Sequence, residues 1–166
     1  MSDTTPQQFV EKWERAELKE RASYQQHFID VCRLVGHPEP ADMDPSGEFF
    51  CFEAGGKTTS GGQGYADVWY KGHFATEYKG KGKYETLDAP YQQLLKYREY
   101  LGNPPLLIVC DIEHWEIHTN FTGTEKKVHR FTNRDIANST RIQRMLRWLF
   151  EDPQQFHPER TAEQVT

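Results

Sequence analysis

The strongest constraint on the fold is one short, fully apolar run, Leu106–Cys110 (LLIVC). A strand with one solvated face alternates apolar and polar residues, so an unbroken apolar run is typical of a central strand that is buried on both faces. The segment 112–119 does alternate, and it is expected to pair with this run across a short turn at Asp111. The chain therefore has to cover both faces of a sheet.

Helical patterns supply the covering layers. The first begins with a T-x-x-Q capping box at Thr5 and keeps helical apolar spacing over 6–35, with a break near Glu20. A second helix is expected to start near Asp88, and an amphipathic helix occupies 138–150. These positions fit two helical layers that enclose the sheet.

Further strands precede and follow the apolar run. The segments that have strand patterns are 48–53, 65–70, 73–79 and 126–131. The order along the chain is helix, three strands, helix, strands and helix, which predicts an α/β fold in which a central mixed β-sheet is flanked by helices. The middle pair of strands reads as a hairpin.

Length and composition limit the domain count and the protein class. The 166 residues fit one domain, and 36% hydrophobic with 27% charged residues is typical of a soluble globular protein. We expect a domain at 1–150, made of a helical segment 6–35, a catalytic sheet 48–131 and the helix 138–150. From Glu151 the sequence turns polar, so 151–166 is expected to be a linker or a truncated end. No apolar run fits a bilayer and no signal peptide pattern occurs, which predicts a cytoplasmic protein without membrane contact.

Charge and cysteine content indicate which ligands and partners the chain can bind. The net charge of −5 argues against a general nucleic-acid binder, yet lysines cluster between 71 and 83 and arginines between 134 and 147. Local basic patches on an acidic body suit a limited DNA footprint. The three cysteines are odd in number and lie in apolar segments, so they are expected to be reduced core residues rather than disulfides or zinc ligands.

One constellation carries chemistry. Asp67 lies in one hairpin strand, and Glu77 and Lys79 lie two apart on the next, so that Glu77 and Lys79 project from the same face. Two carboxylates at one spot suit Mg²⁺, or Mn²⁺ as a substitute, whereas the amine suits orientation of water or stabilisation of negative charge. A salt-bridged strand pair is the alternative for so short a pattern.

This pattern, D-x9-E-x-K after an N-terminal helix, resembles the motif of PD-(D/E)XK nucleases, with Ala66 where proline is usual. The following helix carries Gln93 and Tyr97 in a Q-x-x-x-Y arrangement that looks like the motif of some branches of that superfamily. The stretches GGQGYADVWYKGHFATEYKGK, YQQLLKYREYLGNPPLLIVCD and EIHTNFTGT resemble the N-terminal domain of MmeI-like, type IIL restriction-modification enzymes. The similarity covers about 23–150.

The resemblance implies a restriction-endonuclease-like fold and assigns roles. Asp67 and Glu77 would hold the metal together with the backbone carbonyl of Tyr78, and Lys79 would assist the attacking water. Supporting positions, which steady the site or contact DNA, are Gln63, Gln93 and Tyr97. Residues expected to meet the DNA backbone are Lys71, Lys81 and Lys83, for which a solvated turn is the alternative. Glu20 is a candidate for a further carboxylate, with a solvated helix face as the alternative.

The same resemblance implies the partners. In that family one polypeptide joins this domain to an adenine methyltransferase and a target-recognition region, which do not fit in 166 residues. The expected activity is that of a magnesium-dependent, site-specific type II deoxyribonuclease on double-stranded DNA, with a dimer for cutting both strands. No S-adenosylmethionine site is expected in this chain. The competing interpretation is a DNA-binding or scaffold domain with a degenerate nuclease fold, attached to the methyltransferase.

Other patterns carry less. The glycine-rich Gly56-Lys57-Thr58 lacks the earlier glycine of a nucleotide-binding loop, so nucleotide binding is rejected. His114 and His118 are interpreted as surface or packing residues rather than zinc ligands. Tyr65 and Tyr84 either stack on bases or cover the sheet, and the sequence leaves both options open.

Overall fold

Six strands form one mixed sheet in the computed structural model, which describes residues 4–55, 64–82, 85 and 87–158, without the side chains of Glu20 and Arg21. Their spatial order follows the chain, and only β3 and β4 run parallel. The strands are β1 (Phe50–Ala54), β2 (Ala66–Tyr70), β3 (Phe74–Tyr78), β4 (Leu106–Cys110), β5 (His114–Thr119) and β6 (Val128–Thr132). The predicted α/β fold with a central mixed sheet is confirmed, and it is compatible with a restriction-endonuclease-like fold.

Helices flank this sheet. They are α1 (Pro6–Arg15), α2 (Glu20–Val35), α3 (Pro40–Met43), α4 (Asp88–Tyr97), α5 (Asn133–Asn138) and α6 (Thr140–Glu151), followed by a 3-10 turn at Pro153–Phe156. The capping box at Thr5 is present, because its hydroxyl accepts from the Gln8 N–H while the Gln8 side chain accepts from the Thr5 N–H. No helix in the described part of the chain is long and apolar enough to cross a bilayer.

The apolar run forms the centre of the sheet, as predicted. All five residues of β4 are buried, and β4 lies between β3 and β5. Its parallel register with β3 sets Thr76 beside Ile108 and Glu77 beside Val109. Because β4 has a strand on each edge and helices on both faces, its position in the sheet is fixed. Pairing with β4 therefore fixes the position of β3, which carries part of the candidate site.

The two faces of the sheet differ in packing. One face carries a large aromatic core built with α1, α2 and α6, in which Phe28 contacts the rings of Phe50, Phe74 and Phe150. The other face is covered by α4 and has smaller side chains against the sheet, among them Ala54, Ala66, Ala75, Leu107 and Val109.

The helical segment 6–35 consists of two helices, with the break near Glu20 that the sequence indicated, since the backbone is extended at Ala16 and at Lys19. Two other features differ from the sequence expectations. The expected linker from 151 is wrong for Pro153–Phe156, because Phe156 is 3% exposed and packs against Trp148 in the core. The sequence did not predict this contact, because Phe156 is a single aromatic residue in a polar, proline-containing segment. Helix α5 was not predicted, although Thr132 and Asp135 form a capping box there.

Candidate active site

The hairpin of β2 and β3 opens at one end. Regular pairing runs from Tyr70 and Phe74 to Val68 and Thr76, and no further pair follows. Beyond that point carboxylates accept the strand amides: the N–H of Asp67 donates to Glu77 Oε1 at 2.8 Å, and the N–H of Tyr78 donates to Asp67 Oδ2 at 2.8 Å. Each carboxylate is thereby held by the backbone of the opposite strand. We call Asp67 and Glu77 the carboxylate pair.

Burial and like charge act together on Glu77. The residue is 8% exposed, and burial together with the charge of Asp67 raises its pKa to about 9. The hydrogen bond from the Asp67 amide and the charge of Lys79 oppose this rise without cancelling it. The buried carboxyl of Glu77 and the partly exposed carboxylate of Asp67 repel each other here, so a cation that bound between them would reduce that repulsion.

Lys79 joins the pair through the sheet. Its N–H donates to the carbonyl of Cys110 at 2.8 Å, which continues the parallel pairing of β3 with β4 by one residue. The residue is half-buried, and its charge lowers the pKa of Glu77. The structure thus brings together the three residues that the sequence pattern singled out, Asp67, Glu77 and Lys79.

Tyr78 secures β3 from the opposite face. Its hydroxyl lies 2.9 Å from Nδ1 of His27, which is completely buried and packs against the rings of Phe9, Trp13 and Trp115. Burial lowers the pKa of His27 to about 4, so the imidazole is neutral at physiological pH. This contact anchors the strand segment whose amide binds Asp67.

A third carboxylate, that of Glu53, lies near the pair, and the sequence analysis missed it. The pairs Phe52–Val68 and Ala54–Ala66 flank Glu53 and Asp67, which are therefore neighbours across β1 and β2. Glu53 has a positive φ of 56° and its charge contributes to the raised pKa of Glu77. The acid at the end of the EFFCFE strand was visible in the sequence, but its position beside Asp67 depends on the strand register.

Gln93 and Tyr97, the predicted supporting residues, contact the segment that leads into β2. The Gln93 amide donates to the carbonyl of Gly64 at 3.4 Å, and the ring of Tyr97 lies 5.0 Å from that of Tyr65. Both contacts fall within three residues of Asp67, which fits a supporting role. The third supporting position, Gln63, lies outside the described residues.

The predicted basic contacts are placed unequally. Lys71 lies in the turn at the closed end of the hairpin, four residues and about 13 Å of strand away from Asp67. Lys81 directs Nζ at the carbonyl oxygens of Trp13, Glu14 and Ala16, at 2.8, 2.8 and 3.3 Å, and so caps the end of α1. Its prediction as a DNA contact is not supported by that placement. Lys83 lies outside the described residues.

The carboxylate pair supplies few side-chain ligands for a metal ion. Within the described residues, no group of three or more His, Cys, Asp or Glu side chains is arranged to hold a metal ion. The carboxylate pair therefore offers two side chains, and Mg²⁺ commonly binds proteins through one or two carboxylates while water and substrate phosphate complete its shell. The donor set of the pair fits such a hard cation.

Comparison with known proteins gives one match. The model of the family described as MmeI, N-terminal domain, matches residues 3–166. No curated protein and no solved structure matches the chain. The match covers both helical layers, the whole sheet and the carboxylate pair.

Proposed function

The chain belongs to the family of the MmeI N-terminal domain, and from that membership we propose that it is the DNA-cleaving domain of a restriction-modification enzyme. Membership supports a place in a restriction-modification polypeptide. The finer proposal is metal-dependent hydrolysis of DNA phosphodiester bonds at Asp67, Glu77 and Lys79. One observation carries it: the carboxylate pair at the open hairpin end, with Lys79 two residues beyond Glu77 on the same strand.

The geometry supports a division of roles. The amides of Asp67 and Tyr78 fix one oxygen of each carboxylate, so the pair is oriented before any ligand arrives. Mg²⁺ bound there would draw charge from a phosphate oxygen and make water a better nucleophile at neutral pH. We assign Asp67, Glu77 and the Tyr78 carbonyl as the residues that hold it.

Lys79 has a separate part. An ammonium group has no acceptor capacity and cannot serve as a metal ligand, but it donates up to three hydrogen bonds. Beside the carboxylate pair it would orient the attacking water and stabilise negative charge that develops on the phosphate. Removal of one such donor typically slows catalysis by about 100- to 1000-fold.

The raised pKa of Glu77 fits the same proposal. A buried carboxyl beside a second carboxylate tends to keep a proton even with Lys79 nearby, whereas a bound divalent cation would favour the ionised pair. Metal binding is therefore expected to release a proton near neutral pH. A purely structural salt bridge would show no such linkage, because its charges are already compensated.

The deciding experiment is Mn²⁺ titration by calorimetry, followed by nicking of supercoiled plasmid. We expect Asp67→Asn and Glu77→Gln to abolish Mn²⁺ binding, and Lys79→Met to retain binding but lose at least about 100-fold in nicking rate. Glu116→Gln is the matched control, since Glu116 is a carboxylate on the same sheet whose side chain is 13% exposed and bonded to His118 and Arg130.

Two outcomes would reject the proposal. Mn²⁺ binding that survives both Asp67→Asn and Glu77→Gln would place the metal elsewhere. Absence of binding by the native chain at millimolar Mn²⁺ would favour the scaffold domain with a degenerate nuclease fold. The methyltransferase, the target-recognition region and a dimer that cuts both strands remain proposals for the longer polypeptide.

A further inference from the structure

Three tyrosine rings form a cluster beside the start of β2. The ring of Tyr65 is stacked on that of Tyr100, with centroids 5.0 Å apart and planes 22° apart, and it also contacts Tyr97 at 5.0 Å. Tyr100 is 71% exposed, more than any other large hydrophobic side chain in the described part of the chain. We call these three residues the tyrosine platform. With one face against Tyr65 and most of its area in solvent, the Tyr100 ring presents its other face outward.

The platform is built on a firm base. The N–H of Tyr65 donates to the carbonyl of Ala54 at 2.8 Å. Gly55 lies so close that a Cβ there would be 2.6 Å from the Tyr65 ring, and its φ of +85° also favours glycine. Behind Tyr100, Trp69 Nε1 donates to the carbonyl of Leu101 at 2.9 Å. Rings held this way lose little conformational freedom when a flat ligand stacks on them.

A positive charge borders the platform. Lys96 is exposed, and its Nζ lies 5.3 Å from the centroid of the Tyr97 ring. Lys96 lies in the last turn of α4, and Tyr100 lies in the turn three residues beyond the end of that helix. Aromatic faces bordered by a lysine match the two chemical parts of a nucleotide, the base and the phosphate.

The platform is also close to the carboxylate pair. Tyr65 precedes Asp67 by two residues, and two residues of chain span at most about 7 Å. That distance corresponds to about two nucleotide steps at the ~3.4 Å spacing along one strand of duplex DNA. The Tyr65 side of the platform therefore begins within about two nucleotide steps of Asp67.

We propose that the tyrosine platform stacks on an unpaired nucleobase of the DNA strand that enters the carboxylate pair, while Lys96 contacts a phosphate of the same strand. The inference rests on the proposed function, because it takes the strand from the cleavage site. The base is unpaired and unstacked on one side, since a base inside a duplex already has both faces covered by its neighbours. Every base can stack on an aromatic ring, so the platform would bind a strand without sequence specificity.

The test is fluorescence anisotropy with two labelled single strands of equal length, one of thymidines and one of abasic sites, at low salt in EDTA. Tyr100→Ser is expected to weaken binding of the thymidine strand about tenfold and to leave the abasic strand unchanged, while Tyr100→Phe retains binding. Lys96→Gln weakens both strands equally, because a phosphate contact ignores the base. The control is Phe49→Ser, at an exposed aromatic residue beyond the closed end of the β2–β3 hairpin. It is expected to change the affinity for neither strand.

Equal loss on both strands with Tyr100→Ser, no loss with it, or no binding of the thymidine strand by the native chain would overturn the inference. Because EDTA removes any metal, the result is independent of cleavage. A Tyr100 effect limited to the thymidine strand in a chain that neither binds Mn²⁺ nor nicks plasmid would retain the platform and reject the nuclease. The reverse result, nicking without a base-dependent Tyr100 effect, would retain the nuclease and reject the platform.

Discussion

The two ends of the β2–β3 hairpin are made from the same strands and have opposite physical characters. At the closed end, Gly72 turns the chain with a φ of 76°, the N–H of His73 donates to the carbonyl of Tyr70, and their rings stack at 3.8 Å. At the open end, amides donate to the carboxylates of Asp67 and Glu77 instead of to strand carbonyls. The closed end gains stability from packing, whereas the open end concentrates two carboxylates beside Lys79.

The contrast shows how one hairpin combines a well-packed end with a charged end. Aromatic packing along the closed end, with Tyr70 stacked on Phe50 at 4.3 Å, secures the strands where no chemistry is expected. The same strands then separate at the end where β3 continues beside β4. Stability of the first region permits the second to hold the buried carboxyl of Glu77, whose desolvation by itself opposes folding.

The largest expected effect separates the two ends directly. Phe74→Ala removes a side chain that is 1% exposed and contacts Phe28, Tyr70 and Phe150, so it is expected to lower the free energy of unfolding by about 3–5 kcal/mol. Glu77→Gln is expected to change it by less than about 1 kcal/mol at pH 4.5, where the folded chain keeps its Glu77 proton and the amide resembles the protonated carboxyl. Urea unfolding in EDTA measures both. A comparable loss of unfolding free energy in the two variants would contradict the claim that packing at the closed end stabilises the hairpin more than the open end does.

The next effect concerns pH. The pKa of Glu77 rises from 4.5 to about 9 on folding, so between these values the folded chain keeps a proton that the unfolded chain has lost. The free energy of unfolding should therefore fall as pH rises through this window, by at most about 1.4 kcal/mol per pH unit, and the contribution is complete below pH 4.5. Urea unfolding from pH 5 to 9.5 in EDTA checks it, with Glu77→Gln as the reference. Parallel curves for the two proteins would contradict the raised pKa.

The smallest effect distinguishes two lysines, Lys81 beyond the open end of the hairpin and Lys71 at its closed end. Lys81→Met removes three hydrogen bonds to carbonyls at the end of α1 and is expected to cost about 1 kcal/mol of stability. Lys71→Met, at the exposed turn of the closed end, is expected to stay within about 0.5 kcal/mol. Thermal unfolding of both variants gives the answer. If Lys71→Met proved the more destabilising, the capping role of Lys81 would be refuted.

The elements themselves were largely predictable from local pattern. The run in β4, the alternation in β5 and the capping box at Thr5 depend on neighbours within a few residues, and all three are present. Phe156 was missed because a single aromatic residue in a polar segment has no periodicity. Its burial depends on contacts with the rings of Trp148 and His129, which lie in other elements and share no sequence pattern with it.

The candidate site was predictable only in part. The spacing of Asp67, Glu77 and Lys79 indicated convergence, since residues two apart on a strand share a face. The position of Glu53 beside Asp67 was not predictable, because it depends on the register of β1 and β2. The contact of Lys81 with α1 was equally hidden, since it joins residues separated by 65 or more positions.

By itself, the sequence determined the α/β class, the central strand β4 and the residue types at the carboxylate pair, since these follow from composition and short-range periodicity. Only the tertiary structure decided where the hairpin opens, which amides hold Asp67 and Glu77, and which lysine serves as a helix cap. The physical reason is that hydrogen bonds and burial depend on three-dimensional neighbours. A carboxylate acquires its pKa and its partners only when strand register brings another strand within 3 Å of its oxygens.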